Sequence, residues 1–179
     1  MSELTDILAA MAAKKAEVQN PRELFLDVAD RIVKHVCAGF GAKGDEVAIL
    51  LLTADGKHLR FVAPRKLSDL GTIPVTKRDS IAVGVLNKKA GEVMNNVPLV
   101  RHVAFFESVK LRDKAVPIQK MITVPIFLKG DAIGVAQISR KGETPAEAGP
   151  DFMPADLSKA QALFESVAPY LLETRPEKF

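Results

Sequence analysis

The 179-residue chain has no tryptophan, one tyrosine and one cysteine. With Cys37 alone, an intramolecular disulfide is impossible and a reactive thiol has no resolving partner. The scarcity of tyrosine and tryptophan argues against the aromatic platforms on which single-stranded nucleic acid stacks. No apolar run approaches the roughly 20 residues that span a bilayer. The opening, with Ser2, Glu3 and Asp6, lacks the basic-then-apolar pattern of a secretory signal. A reducing, cytoplasmic location is expected.

Excess charge is also in short supply: 25 Lys and Arg against 22 Asp and Glu give a formal net charge of +3. The densest basic runs, Lys88-Lys89 and Arg140-Lys141, are too short for a nucleic-acid-binding arm. The 3 histidines, His35, His58 and His102, include no pair at helical ligand spacing, so no metal site is expected. There is no glycine-rich phosphate loop, nucleophile elbow or paired-carboxylate site. Asp69 and Asp79 read as turn and cap residues. These absences together point away from an enzyme, a nucleic-acid binder and a membrane protein.

What is present is ordinary for a globular protein: 47% hydrophobic and 26% charged residues. The length suits one domain, residues 21–179, with a helical extension, residues 1–20. A chain of this size buries about 70% of its unfolded surface without staples.

Residues 4–18 carry Leu4, Ile7, Leu8, Met11 and Val18 on one helical face. Asn20-Pro21 breaks that helix and starts another, with Asn20 as cap and Pro21 at the first position. The second helix, residues 21–38, has the stripe Phe25, Val28, Ala29, Ile32, Val33 and Val36, and ends at the glycines that follow. Residues 47–53 are apolar on both faces, as in a strand covered on both sides. Asp55-Gly56 then turns the chain into an alternating strand at 58–63. Further on, 73–75 reads as a short strand. Residues 79–89 read as a helix starting near Asp79 or Ser80, 92–96 as a short strand, and 100–114 as a weaker helix. Residues 121–128 and 132–139 flank Lys129-Gly130-Asp131 and form the clearest hairpin. Pro125 makes its strand an edge or bulged strand. A loop at 141–151 leads to a last helix at 154–174, where Pro169 should introduce a kink.

The first, second and last helices are more apolar than one sheet face requires. Either they cover one another within the chain, or the same surface of a second copy covers them; the second arrangement, a homodimer through the terminal helices, is the expectation.

This order of elements resembles the GAF domain across nearly the whole chain. Two stretches carry the resemblance. One is SIAVGVLNKKAGEVMNNV at 80–97, a helix, glycine and strand ending in Asn before Val. The other is MITVPIFLKGDAIGVAQISRKG at 121–142, followed by Phe152 and Asp156. The resemblance implies an α+β, GAF/PAS-like fold: an antiparallel sheet of about six strands with helices on both faces. It also implies a dimerising helix layer on one face and a ligand cavity on the other, under the mid-chain helices.

Cyclic-nucleotide GAF domains carry Asn-Lys, a Phe, and then Asp-Glu after three residues. The corresponding places here are Arg140, Lys141, Phe152, Asp156 and Leu157, so the first and last depart. A Lys141–Asp156 pair fastening the loop to the last helix is the simpler expectation. Bilin-binding members attach their chromophore through a cysteine, but Cys37 sits on the second helix as a small core residue. The candidate cavity lining is Ile73, Ser80, Val83, Asn95, His102, Phe105, Phe106, Thr123 and Gln137, an apolar set with a few polar groups. His102 could also serve as an axial haem ligand, although an ordinary polar histidine is the simpler reading.

The function expected is that of a sensory or regulatory module. It binds an unidentified small molecule, forms a homodimer and acts through a separate signalling partner, with no assigned cofactor. The alternative is a degenerate pairing or scaffold module whose cavity Phe105 and Phe106 fill. A GAF-type methionine sulfoxide reductase is a further alternative.

Overall fold

The computed structural model describes residues 2–69, 71–99, 116–177 and 179. The expected helix at 100–114 lies outside them, and with it His102, Phe105 and Phe106.

Helices α1 (Ser2–Ala13) and α2 (Pro21–Phe40) lead into strands β1 (Val47–Leu52) and β2 (His58–Ala63). A short 3-10 turn, Arg65–Leu67, precedes β3 (Thr72–Pro74). Then come α3 (Ile81–Lys88), β4 (Glu92–Met94), β5 (Ile118–Leu128), β6 (Asp131–Lys141) and α4 (Pro154–Thr174). The strands form one 6-stranded sheet in the order β3-β2-β1-β6-β5-β4, and every pairing is antiparallel.

Local chemistry sets most boundaries. The Asn20 side chain accepts the Glu23 N–H at 3.2 Å, and Pro21 occupies the first turn of α2. Gly41, at φ 65°, closes that helix in the left-handed region that glycine adopts without strain. Ser80 caps α3 by accepting the Val83 N–H at 3.3 Å. Lys129 and Gly130, at φ 53° and 89°, make the tight β5–β6 turn, whose twist suits paired strands. Pro125 lies beyond β4, which reaches along β5 only as far as Thr123. Pro125 stands opposite Val135 of β6, while on the side of β4 its missing N–H meets no strand, and its carbonyl accepts from Gln161 at 3.1 Å. The register shifts in β5 fall elsewhere, at Ile118/Lys120 and Ile126/Phe127, so Pro125 marks an edge rather than a bulge. At the other uncertain proline, α4 runs without interruption through Pro169 to Thr174.

Alternation along the strands splits the core in two. Val47, Ile49 and Leu51 of β1, Ile122, Val124 and Ile126 of β5, and Ala136 and Ile138 of β6 meet α2 and α4. Phe25, Ile32, Val36, Phe164, Val167 and Leu171 fill that layer. Leu4 and Leu8 of α1 are buried in the same cluster. On the other face, Leu50, Leu59, Phe61, Ile73, Val85 and Val135 pack under α3. Val97, Ile118 and Met121 form a small third cluster.

Much of the apolar stripe of the three helices is buried within the chain, where α1 lies against α2 and α4, while Ile7, Met11 and Val18 stay partly exposed. Among the described residues, the exposed large hydrophobics are Val116 and Met153, and neither belongs to the stripes that suggested pairing.

Candidate functional site

The α3-side face of the sheet carries a polar row in an otherwise apolar surface. β5 and β6 pair Thr123 with Gln137 and Met121 with Ser139, and β1 sets Ala48 beside Gln137. The helix-facing residues between them, Ile122, Ala136 and Ile138, belong to the main core, so Thr123, Gln137 and Ser139 face the other way. All three are buried, with 1%, 4% and 5% of their surfaces exposed.

Their hydrogen bonds do not balance. Ser139 donates its hydroxyl to the Glu46 carbonyl at 3.0 Å. Gln137 donates from Nε2 to Thr123 Oγ1 at 3.3 Å. Gln137 Oε1 is buried and has no partner among the described residues. Exchanging the amide oxygen and nitrogen would leave the same position unpaired. A buried amide group without a partner costs on the order of 1–3 kcal/mol. Beside it lies a small void of about 20 Å³, bordered by Ala48, Ile118, Met121, Gln137 and Ser139 and also by Asp45 and Glu46. That is room for about one water.

The row contains no ionic side chain. Nearby Glu46 is buried, but its carboxylate accepts the Lys43 N–H at 2.7 Å and the Lys141 N–H at 2.8 Å. The Lys141 ammonium holds Asp45 at 2.7 Å, and this bond keeps the Asp45 carboxyl below its ordinary pKa. What the arrangement offers a ligand is a neutral hydrogen-bonding position beside two carboxylates that already have partners.

The expected lining residues divide into groups. Thr123 and Gln137 meet as a cross-strand pair. Ile73 and Val83 belong to the packed cluster under α3, and Ser80 is spent on its cap. Asn95 is engaged elsewhere: its amide donates to the Phe152 carbonyl at 3.0 Å and accepts the Phe152 N–H at 2.9 Å. It ties the chain after β4 to the loop before α4. Ser139 and Met121 were missed, although period-2 alternation from Val135 through Gln137 places Ser139 on the same face.

The positions compared with a nucleotide motif all have structural partners. Lys141 pairs with Asp45 rather than Asp156. Asp156 accepts the Met153 N–H at 2.8 Å and caps α4. The Arg140 guanidinium lies 4.1 Å from the centre of the Phe152 ring. Cys37, half-buried on α2, packs against the main core on the opposite side of the sheet from Gln137. Burial, then Glu46 and Asp45, push its thiol pKa up. Among the described residues, no group of three His, Cys, Asp or Glu side chains could hold a metal ion, and no helix is long and apolar enough to cross a membrane.

Comparison with solved structures decides the architecture. The GAF domain of a phosphoenolpyruvate-protein phosphotransferase from Coxiella burnetii superposes with a TM-score of 0.64 at 12% identity, covering 96% of this chain and 94% of that one. The fold is that of a GAF domain. Residues 122 to 287 of a methyl-accepting chemotaxis protein match with a TM-score of 0.63 at 15% identity, over 92% of this chain and 96% of that one. A type II free methionine-R-sulfoxide reductase from Thermoplasma acidophilum matches with a TM-score of 0.61 at 16% identity, over 87% and 97%. The GAF fold thus spans proteins of different activities, and at such identities the likeness concerns the fold. No family model matches the chain, and no curated protein matches it.

Proposed function

We propose that this GAF-fold chain is a sensory or regulatory module that takes a small, largely neutral molecule against Gln137. The supporting observation is the buried amide position of Gln137, left without a hydrogen-bond partner among the described residues. In a folded interior nearly all such groups are satisfied, and an exception invites a ligand or an ordered water.

The same strands suggest how binding is relayed. Thr123 and Gln137 line one face, while their neighbours Ile122, Val124, Ala136 and Ile138 pack into the helical layer on the other. A ligand that favours one arrangement of the β5–β6 pair biases the seating of α4. The helical layer is the output surface, read by a second copy of the chain or by a separate signalling protein. The likeness in fold to a segment of a methyl-accepting chemotaxis protein fits such a role. A non-catalytic reading agrees with the raised thiol pKa of Cys37, since the thiolate is the reactive form.

A thermal-shift screen with metabolites and nucleotides tests this. A ligand at 100 times its Kd should stabilise the chain by about 2.7 kcal/mol, and Gln137→Leu should abolish that shift. A shift preserved in Gln137→Leu would place the ligand elsewhere.

The small void, about 20 Å³, favours a second reading: a pairing or scaffold module with a filled cavity. That reading requires the screen to find no stabilising ligand at the Gln137 face.

A further inference from the structure

A second unpaired polar atom lies on the helical side of the sheet, at the edge away from α4's contact with β5. Arg60 of β2 stands opposite Leu51 of β1 and Thr72 of β3. Its Nε is buried and has no hydrogen-bond partner among the described residues. No carboxylate forms an ion pair with it among the described residues, although Arg65, five positions on, gathers Glu23, Asp27 and Asp30. A guanidinium carries five N–H donors and no acceptor, and here the buried Nε–H lacks a partner while the side chain as a whole is only half-buried.

Arg60 stands in a built recess. Its guanidinium carbon lies 5.7 Å from the centre of the Phe179 ring, and that ring meets Phe25 edge-on at 5.3 Å and 82°. Around them is a cleft of about 200 Å³, also walled by Leu26, Ser68 and Pro176. Arg22 and Asp69 also border it and are paired with each other, so Asp69 does not neutralise Arg60. For scale, an apolar cavity of about 150 Å³ accommodates a benzene ring.

We propose that this cleft is a binding site for a small aromatic carboxylate. The carboxylate takes the terminal N–H groups of the Arg60 guanidinium in the two-pronged geometry that guanidinium and carboxylate share. The ring lies against Phe179 and Phe25. The site is separate from the Gln137 face, from which the sheet divides it, and it stands or falls independently of the sensory reading.

Benzoate is the probe, with benzyl alcohol as its uncharged counterpart, titrated calorimetrically into the full chain. Benzoate should bind, and benzyl alcohol should bind at least about ten-fold more weakly, as expected for loss of charge-assisted hydrogen bonds. Arg60→Met should weaken benzoate by about ten-fold or more while leaving the melting temperature unchanged or higher, because an unsatisfied donor is removed. Arg60→Lys, which keeps the charge without the fork, should fall between. Gln137→Leu should bind benzoate as the parent does. The proposal is overturned if the parent shows no benzoate binding, if benzyl alcohol binds as well, or if Arg60→Met binds unchanged. It is also overturned if Arg60→Met loses binding together with a fall in melting temperature, which would make Arg60 a structural residue.

Discussion

On the helical side of β5 and β6, Ile122, Val124, Ala136 and Ile138 meet Phe164, Val167 and Leu171 in one apolar cluster. One residue along in either strand, the chain turns Thr123, Gln137 and Ser139 to the α3 side and buries them nearly as deeply. The same strands, at the same depth, therefore carry two chemistries. Apolar packing gains roughly 1.5–3 kcal/mol for each large side chain buried. An amide buried with one atom unpaired gives up part of that gain. The helical face is built for stability, and the α3 face gives up stability where a ligand would be held.

Substitutions sharpen the contrast. The largest effect is expected at Phe164, fully buried in the helical layer: Phe164→Ala should lose about 3–5 kcal/mol of unfolding free energy in a urea titration. A loss under about 1 kcal/mol would show that the layer tolerates a void and is not the stability core. Next comes Gly134, where a Cβ would sit 2.2 Å from the Leu50 carbonyl oxygen and 2.7 Å from Leu51 Cδ2. Because the nearest obstacle is backbone, Gly134→Ala should cost about 1–3 kcal/mol by pushing β6 off β1. The opposite sign is expected on the α3 face: Gln137→Leu should leave the ligand-free chain unchanged or about 1 kcal/mol more stable, by the same titration. A clear loss there would mean that the amide has partners that matter and would erase the contrast.

The smallest effect is at the rim. Lys141 holds the half-exposed Asp45 carboxyl below its usual value of 3.8. A depressed folded pKa gives stability that is present above the unfolded value and is lost as pH falls through the folded one. The advantage of the parent over Lys141→Met should therefore be complete at neutral pH and shrink below about pH 4, and at such exposure it should not exceed roughly 1 kcal/mol. Thermal melts at pH 7 and pH 3 measure it.

Much of the fold is legible in the sequence because its determinants are local. Asn20-Pro21 and Ser80 state helix starts through the hydrogen bonds that their side chains make with the next turn. Asp55-Gly56 and Lys129-Gly130 state turns through the conformations they permit. The split of β1 into two buried faces follows from its unbroken apolar run. What sequence leaves open is the identity of partners distant along the chain. Nothing in the pattern says that Lys141 meets Asp45 rather than Asp156, or that Asn95 is taken up by the Phe152 backbone. A wide apolar stripe likewise looks the same whether α1 of the same chain or another copy covers it. The candidate site was legible only in its strand pair: Thr123 and Gln137 meet, Ile73, Val83 and Ser80 serve packing and capping, and the amide atom unpaired among the described residues appears only in the structure.

The most direct test takes the parent chain and Gln137→Leu, purified in parallel from the same cells, and compares native with denaturing mass spectra. The parent should carry an added mass that disappears on denaturation, and Gln137→Leu should carry none. An identical added mass on both proteins, or none on the parent, would contradict a ligand held at Gln137.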